Sequence, residues 1–528
     1  RERERKRERK RELKERRERF GCERLKFNMS SSSSEKNLLI QQGSAWEYAK
    51  DDELDYLDDL EVKGNDREGV PGDVSSGLDA YSKQLVSPIT GALRAKPPLV
   101  TTVFIATFSF SAYLCVYGFR KPWTAASWTE QDTLFGFQDP KLFLDWTQLI
   151  GYVIGKASGI FIIPTIPGHF RFPLLVSLPI VSTFFWLMLG LLHNLSTVAV
   201  FLVFFFSTMP LSLAWSLMYR YLEGRHHPDV LGAVLSSAIV VGSSLAKTIG
   251  YSLLDTGLSE YWMPFAAALC YLLPYMVCAI LIHACPDPSP EERKVMSERR
   301  PISQREKAQF LGRHWIGLVA LTAGYVLLTS CRDFRDTFTV EIFDSVLGHE
   351  PSSGLLLLDV PVGILVCMIY LSLAFIKDHA LNVAVEHAIM FVGYFCLLFF
   401  QTLFWFDLIP VPLWFVGCGV GVYLAYTPVS AMLYDRIGAA IAHKEDVGTA
   451  TFMIQVSDFS GYIGTLLLYS LQGFGALGGD TEIDSNGEGG LDYYTLYTFL
   501  SLGVGVVGMV GTLISGVYWQ FTLRKKLH

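Results

Sequence analysis

The chain lacks the groupings that covalent chemistry requires. Its 528 residues hold no nucleophile paired with a base, no metal-ligand constellation and no glycine-rich phosphate cradle, so neither an enzyme nor a bound cofactor is expected. Cysteine is sparse and unpatterned. There are nine, an odd number, and Cys115, Cys270, Cys278, Cys331, Cys367, Cys396 and Cys418 fall within or at the ends of apolar runs. That distribution excludes a spaced disulfide framework and a zinc site. Charged residues are only 18% of the chain, against 51% hydrophobic and 13% aromatic, which excludes an ordinary soluble protein of this size. No nucleic-acid partner is expected.

The first 27 residues open on Arg1-Glu-Arg-Glu-Arg-Lys, an alternating run with no apolar face; they are either a solvated helix or translated sequence upstream of a start at Met29. A serine tract at Ser30–Ser34 and an acidic stretch from Glu47 to Glu61 follow, so residues 1–96 are expected to be a disordered cytosolic tail. No signal peptide is expected, because the first long apolar run begins near Leu99 and is too long and too internal to be cleaved.

From there, apolar runs of membrane-crossing length recur. Twelve are legible, at 99–120, 142–163, 173–192, 196–221, 229–254, 261–284, 315–338, 355–376, 381–404, 410–435, 447–471 and 493–522. Between the sixth and seventh lies a polar stretch carrying Arg293, Lys294, Arg299, Arg300, Arg305, Lys307 and Arg313. The fold class expected is therefore an all-α membrane protein of twelve transmembrane helices in two pseudo-symmetric six-helix bundles. Residues 97–284 and 315–528 form the bundles, and a basic cytosolic loop at 285–314 joins them. Arg171, Arg220, Arg225, Lys377, Arg436, Lys444 and Arg524-Lys525-Lys526 fall on one side, which places both termini in the cytosol. Arg120, Lys121 and Lys141 break that rule. A cation inside or at the rim of a bilayer is costly unless it faces a cavity, a partner or the headgroups, which marks the helix end at Arg120-Lys121 as a functional candidate.

Internal repeats relate these charges. Tyr113 and Arg120 in the first span match Tyr325 and Arg332 in the seventh at an offset of 212 residues, and Lys247…Tyr251 matches Asp458…Tyr462 at 211. Repeats of this kind mark secondary transporters, whose substrate sits where the repeats meet. Counting helical rise places Arg120, Lys247 and Arg332 about 25–30 Å from the cytoplasmic ends, at one shared level. Arg120 and Arg332 read as an anion clamp, with Lys247 as a third positive contact and Tyr113, Tyr117 and Tyr325 lining the site. Asp458 and Asp359 are the carboxylates available for coupling, and Lys247 with Asp458 is alternatively a neutralising pair between two helices. Asp333, Arg335 and Asp336 are expected to include an outer-rim salt bridge, and Gly151, Gly155 and Gly159 to be close-packing positions. Arg220, Glu223 and Arg225, with Asp435 and Arg436, read as a cytoplasmic gate.

Twelve spans in two halves resemble the major facilitator superfamily. Tyr117-Gly-Phe-Arg120-Lys121-Pro-Trp-Thr-Ala-Ala126, Tyr221-Leu-Glu-Gly-Arg225, Glu260-Tyr-Trp-Met-Pro-Phe265 and Cys331-Arg-Asp-Phe-Arg-Asp336 resemble a family named only as domain of unknown function 5690. The Arg120-Lys121 signature is also similar to that of organophosphate:phosphate antiporters; the resemblance implies that Arg120 and Arg332 grip a phosphate. The resulting expectation is a monomeric secondary transporter of a small organic anion, phosphorylated substrates included, working by alternating access with protons or a counter-substrate as partner. A proton-coupled carrier of a neutral solute, or a non-transporting receptor or scaffold, remains the alternative. Two short signals point to different compartments. Lys525-Lys526-Leu527-His528 looks like an endoplasmic-reticulum retrieval tail, and Glu35-Lys-Asn-Leu-Leu39-Ile40 like an endolysosomal sorting signal. The sequon at Asn194 hugs the membrane and is expected to be unmodified.

Overall fold

The computed structural model describes residues 74–194, 196–222, 225, 228–287, 304–349, 351–441, 449–474 and 492–524. Outside these lie the arginine-rich opening, the serine and acidic tracts, both sorting signals, Glu223, the central cations from Arg293 to Arg300, and Lys444. Everything below concerns the unit Ser75–His528.

In chain order the helices are α1 (Val74–Arg94), α2 (Pro98–Arg120), α3 (Pro140–Thr165), α4 (Arg171–Leu192), α5 (Thr197–Thr208), α6 (Ala214–Leu222), α7 (Pro228–Asp255), α8 (Met263–His283), α9 (Gln304–Thr337), α10 (Thr339–Leu347), α11 (Ser353–Leu356), α12 (Asp359–Ser372), α13 (His379–Trp405), α14 (Val411–Ala431), α15 (Leu433–Ile441), α16 (Thr449–Gly473) and α17 (Tyr493–Arg524). Among the described residues ten segments are long and apolar enough to cross a membrane, which makes this an integral multi-pass membrane protein. Two more expected spans, α3 and α16, have the length, at 26 and 25 residues, but carry Lys156 and Asp458.

Local chemistry sets the breaks. Pro210 cannot donate to the helix ladder, and the expected span 196–221 is α5 and α6 joined by a 3-10 turn at Pro210–Leu213. Pro428 sits in the last turn of α14, and the backbone leaves helical geometry at Met432 before α15 begins. Helix α9 begins eleven residues before the expected span and kinks at His314, so part of the stretch expected as a loop is helical. Val74–Arg94 is helical as well, where the composition of the first 96 residues predicts disorder. Low average hydropathy hid an apolar stripe that packs on the body of the protein through Val86 and Leu93.

Helices from the first and second halves of the sequence meet along two seams, α3 with α16 and α7 with α12. Close approach needs small residues. A Cβ on Gly151 would lie 2.2 Å from the Phe205 carbonyl oxygen, and one on Gly155 would lie 2.3 Å from that of Met209. These glycines let α3 lie against α5 and the turn that follows it.

Candidate functional site

Arg120 is the last residue of α2, and Pro122 then ends the helix in a buried turn at Pro122–Ala125. Consecutive residues point about 100° apart on a helix, so the two cations of Arg120-Lys121 separate. The Arg120 guanidinium lies 4.0 Å from the centre of the Tyr152 ring on α3 and 6.0 Å from that of Tyr462 on α16. It is buried, with no carboxylate in salt-bridge reach among the described residues, and its Nε has no hydrogen-bond acceptor.

Arg332 on α9 has a parallel setting. Its guanidinium lies 4.1 Å from the Tyr426 ring on α14 and, like Arg120, 6.0 Å from the Tyr462 ring. Its charge is balanced by Asp333, whose Oδ1 accepts from Nη2 at 2.6 Å and from Nε at 3.1 Å, while Nη1 is buried without a partner. Tyr325 stacks on Tyr426 at 5.3 Å, which forms a column of Tyr325, Tyr426 and Arg332. Tyr113 and Tyr117 line α2 below Arg120, edge-on to one another at 5.7 Å, and Tyr113 also meets Trp215 at 5.0 Å.

The third cation at this level is Lys156. Its Nζ lies 5.2 Å from the Tyr462 ring, 5.6 Å from that of Tyr152, and is ion-paired with Asp458 across the α3–α16 seam. The expected Lys247–Asp458 pair is thereby corrected: each found another partner, because α16 abuts α3 and the end of α7 meets α9. Lys247 sits one helical turn beyond the arginines. Its Nζ lies 3.0 Å from Asp336 Oδ1 and donates to Thr339 Oγ1 at 2.9 Å. Asp336 is four residues after Arg332, about 6 Å further along α9 at 1.5 Å per residue, so Lys247 does not share the level of the arginines.

That second layer is dense. Lys121 Nζ lies 3.2 Å from Asp336 Oδ2 and donates to Thr337 Oγ1 at 2.9 Å, and Thr337 donates to Asp145 Oδ2 at 2.7 Å. Ser243 Oγ donates to Asp336 Oδ1 at 2.5 Å. Lys141 pairs with Glu341 and donates to the Thr124 carbonyl at 2.6 Å. Trp146 Nε1 donates to Ser470 Oγ at 2.9 Å. All but the Lys141–Thr124 contact link α3, α7 or Lys121 at the end of α2 to α9, α10 or α16. These bonds tie the two sets of helices together at this end.

Asp359 is engaged elsewhere. Arg335 Nη1 and Nη2 grip its two oxygens at 3.0 and 2.7 Å, with the guanidinium 3.8 Å from the Phe415 ring. Thus Asp333 pairs with Arg332, Arg335 with Asp359, and Asp336 with both Lys121 and Lys247, four ion pairs in all. At the opposite end, Tyr219 on α6 donates to Asp435 Oδ2 on α15 at 3.5 Å. Arg225 donates to the carbonyls of Tyr221 and Pro286, both at 2.7 Å, and Arg436 Nη1 lies 3.1 Å from His379 Nδ1. Arg220 lies near the end of α6, beside Tyr219, and Glu223 is outside the described residues.

The sequence reading missed Tyr152, Tyr426 and Tyr462 as lining residues. A signal existed: Tyr152 and Lys156, and Asp458 and Tyr462, are each spaced by four, which puts ring and charge on one helix face.

A family model, described as "Family of unknown function (DUF5690)", matches residues 122–522, which hold Tyr152, Lys156, Arg332, Asp333, Tyr426, Asp458 and Tyr462. The chain belongs to this family. The match to DUF5690 begins directly after Lys121, so Tyr113, Tyr117 and Arg120 precede it. Among curated proteins none matches significantly. A bacterial homologue of the human drug peptide transporters PepT1 and PepT2 has a similar structure, at 14% identity and a TM-score of 0.54, covering 82% of this chain and 100% of the other. The proton:xylose symporter XylE of the major facilitator superfamily aligns at 12% identity with a TM-score of 0.46, over 79% of this chain and 100% of its own. At such identities the likeness concerns fold alone: this DUF5690 chain shares its fold with the bacterial homologue of the peptide transporters.

Proposed function

We propose that the protein is a secondary transporter of a small organic anion, working by alternating access between two six-helix bundles at 97–284 and 315–528. The observation that carries this reading is Arg120, a buried guanidinium held by tyrosine faces with no acid beside it among the described residues. Around Tyr462, the cations Arg120, Arg332 and Lys156 outnumber the acids Asp333 and Asp458 by one. A buried charge without a partner is costly, and an anionic ligand supplies the partner. Forked guanidinium donors from two helices suit phosphoryl or carboxylate oxygens, phosphorylated compounds among them.

In this reading Arg120 and Arg332 form the clamp, Tyr113, Tyr117 and Tyr325 frame it, and Lys156 replaces Lys247 as the third positive contact. Asp458 is the carboxylate available for coupling to protons, since it alone of the two candidates touches a cation of the clamp layer. Asp359 is held by Arg335 and takes a structural role. With both termini cytosolic, the tied end is the outer one, and Arg220, Arg225, Asp435 and Arg436 lie at the inner gate. A second reading, a proton-coupled carrier of a neutral or zwitterionic solute, is favoured by the ion-paired state of Arg332 and Lys156. One structurally similar protein is a homologue of peptide transporters, which makes short peptides part of the test.

The test is thermal stability of the detergent-purified protein, wild type beside Arg120→Gln, with inorganic phosphate, sugar phosphates, carboxylates, short peptides and neutral sugars. A ligand at a hundred times its dissociation constant adds about 2.7 kcal/mol. Stabilisation by anions that vanishes in Arg120→Gln is expected. Stabilisation by neutral solutes, equal in both proteins, would overturn the anion clamp.

A further inference from the structure

Only Ala95, Lys96 and Pro97 separate α1 from α2. Three extended residues span about 10 Å, so the end of α1 stays within that distance of the point where α2 begins. Helix α2 is one of the spanning helices, and its first turns turn apolar side chains outward: Leu99 and Val103 are 65% and 56% exposed. In a bilayer these residues face lipid. The C-terminal end of α1 is therefore held near the membrane surface by covalent constraint.

Its side chains divide into three stripes. Val86, Thr90 and Leu93 face the protein, where Thr90 Oγ1 donates to the Ala284 carbonyl at the end of α8 at 2.7 Å. Leu85, Ile89 and Ala92 repeat at intervals of four and three, the spacing of a single helix face, beside the first stripe. Leu85 is 64% exposed, Ala92 exposed and Ile89 half-buried. Gln84, Ser87 and Arg94 occupy the remaining side. The apolar arc is thus wider than the protein covers.

We propose that α1 is an interfacial helix whose Leu85, Ile89 and Ala92 sit in the acyl boundary of the leaflet that α2 enters, with Arg94 and Lys96 on anionic lipid headgroups. An amphipathic helix with an apolar face and cations on its polar side is the form that lies in a membrane interface. The occupant is lipid rather than another protein segment because α1 ends three residues short of a membrane-spanning helix whose first turns expose Leu99 and Val103. Arg94 and Lys96 are both exposed at the junction, where the headgroups begin.

The experiment places the photo-crosslinking residue benzoylphenylalanine at Leu85, and separately at Ser87, in the full-length protein. Each variant is reconstituted in phosphatidylcholine vesicles with and without phosphatidylglycerol, irradiated, and analysed for adducts by mass spectrometry. Lipid adducts at position 85, and few at 87, are expected. Adducts of position 85 to protein, or equal lipid labelling at 85 and 87, would overturn the interfacial placement. Phosphatidylglycerol should be enriched among the adducts by up to about fivefold, the size of one cation's attraction to an anionic leaflet. Arg94→Gln with Lys96→Gln should abolish that enrichment; enrichment that persists would overturn the headgroup contact. None of these outcomes depends on what the protein transports.

Discussion

Asp336 is the residue whose replacement tests the closed end of the helix assembly most directly. It lies between Lys247 at 3.0 Å and Lys121 at 3.2 Å, both buried, and accepts from Ser243 at 2.5 Å. Asp336→Asn keeps the shape and an acceptor for Ser243 but leaves two buried ammonium groups without their shared counter-ion. Removing one partner of a buried ion pair costs about 3–5 kcal/mol, and the retained amide oxygen argues for the lower end of that range. The cost falls only on conformers in which α2 and α7 meet α9. A 3 kcal/mol penalty therefore moves the closed-to-open ratio by about a hundredfold. A cysteine at Ser470, which accepts from Trp146 across the α3–α16 seam, reports the opening through its rate of labelling by a membrane-impermeant maleimide. The rate should rise by at least about tenfold in Asp336→Asn. Adding Lys247→Met removes one uncompensated cation, so the double variant should recover part of the loss, a coupling of about 0.5–3 kcal/mol. An unchanged labelling rate, or strictly additive effects of the two substitutions, would refute the latch.

Two further outcomes follow from local geometry. Burial pushes the Glu260 carboxyl above its ordinary value of 4.5, the Trp128 backbone N–H at 3.2 Å pulling the other way. A raised carboxyl binds its proton more tightly in the folded protein, so its contribution to stability is whole below 4.5 and lost as pH rises through the folded value. The melting temperature of wild type relative to Glu260→Gln should therefore fall from about pH 4 to about pH 7, and parallel curves would contradict the buried setting. Gly151→Ala forces a methyl group against the Phe205 carbonyl and should cost about 1–3 kcal/mol, read as a lower melting temperature. Gly503→Ala, with nothing within 4 Å of the added carbon, is the control that should leave melting unchanged.

The spans were legible because crossing a bilayer demands about 20 apolar residues, and their breaks fell where proline removes a hydrogen bond, at Pro210 and Pro428. The arginines were legible for a different reason: a repeated interval from Tyr113 to Arg120 and from Tyr325 to Arg332 is preserved whatever lies between. Ion partners were not. Counting residues fixes depth to about one turn, and that turn is the difference between Lys247 beside Arg332 and Lys247 beside Asp336. Azimuth is worse determined, since which face of α16 meets which face of α3 depends on all the packing around them. Lys156 and Asp458 could be related only through features both helices share, and the tyrosine four residues from each charge is that feature. A ring and a charge one turn apart on two helices, each too polar for lipid, have the same solution: they face one another. The same reasoning explains why α1 escaped notice. Its apolar stripe is read only against the helix period, and the charged and serine-rich stretches before it mask that period in any average over composition.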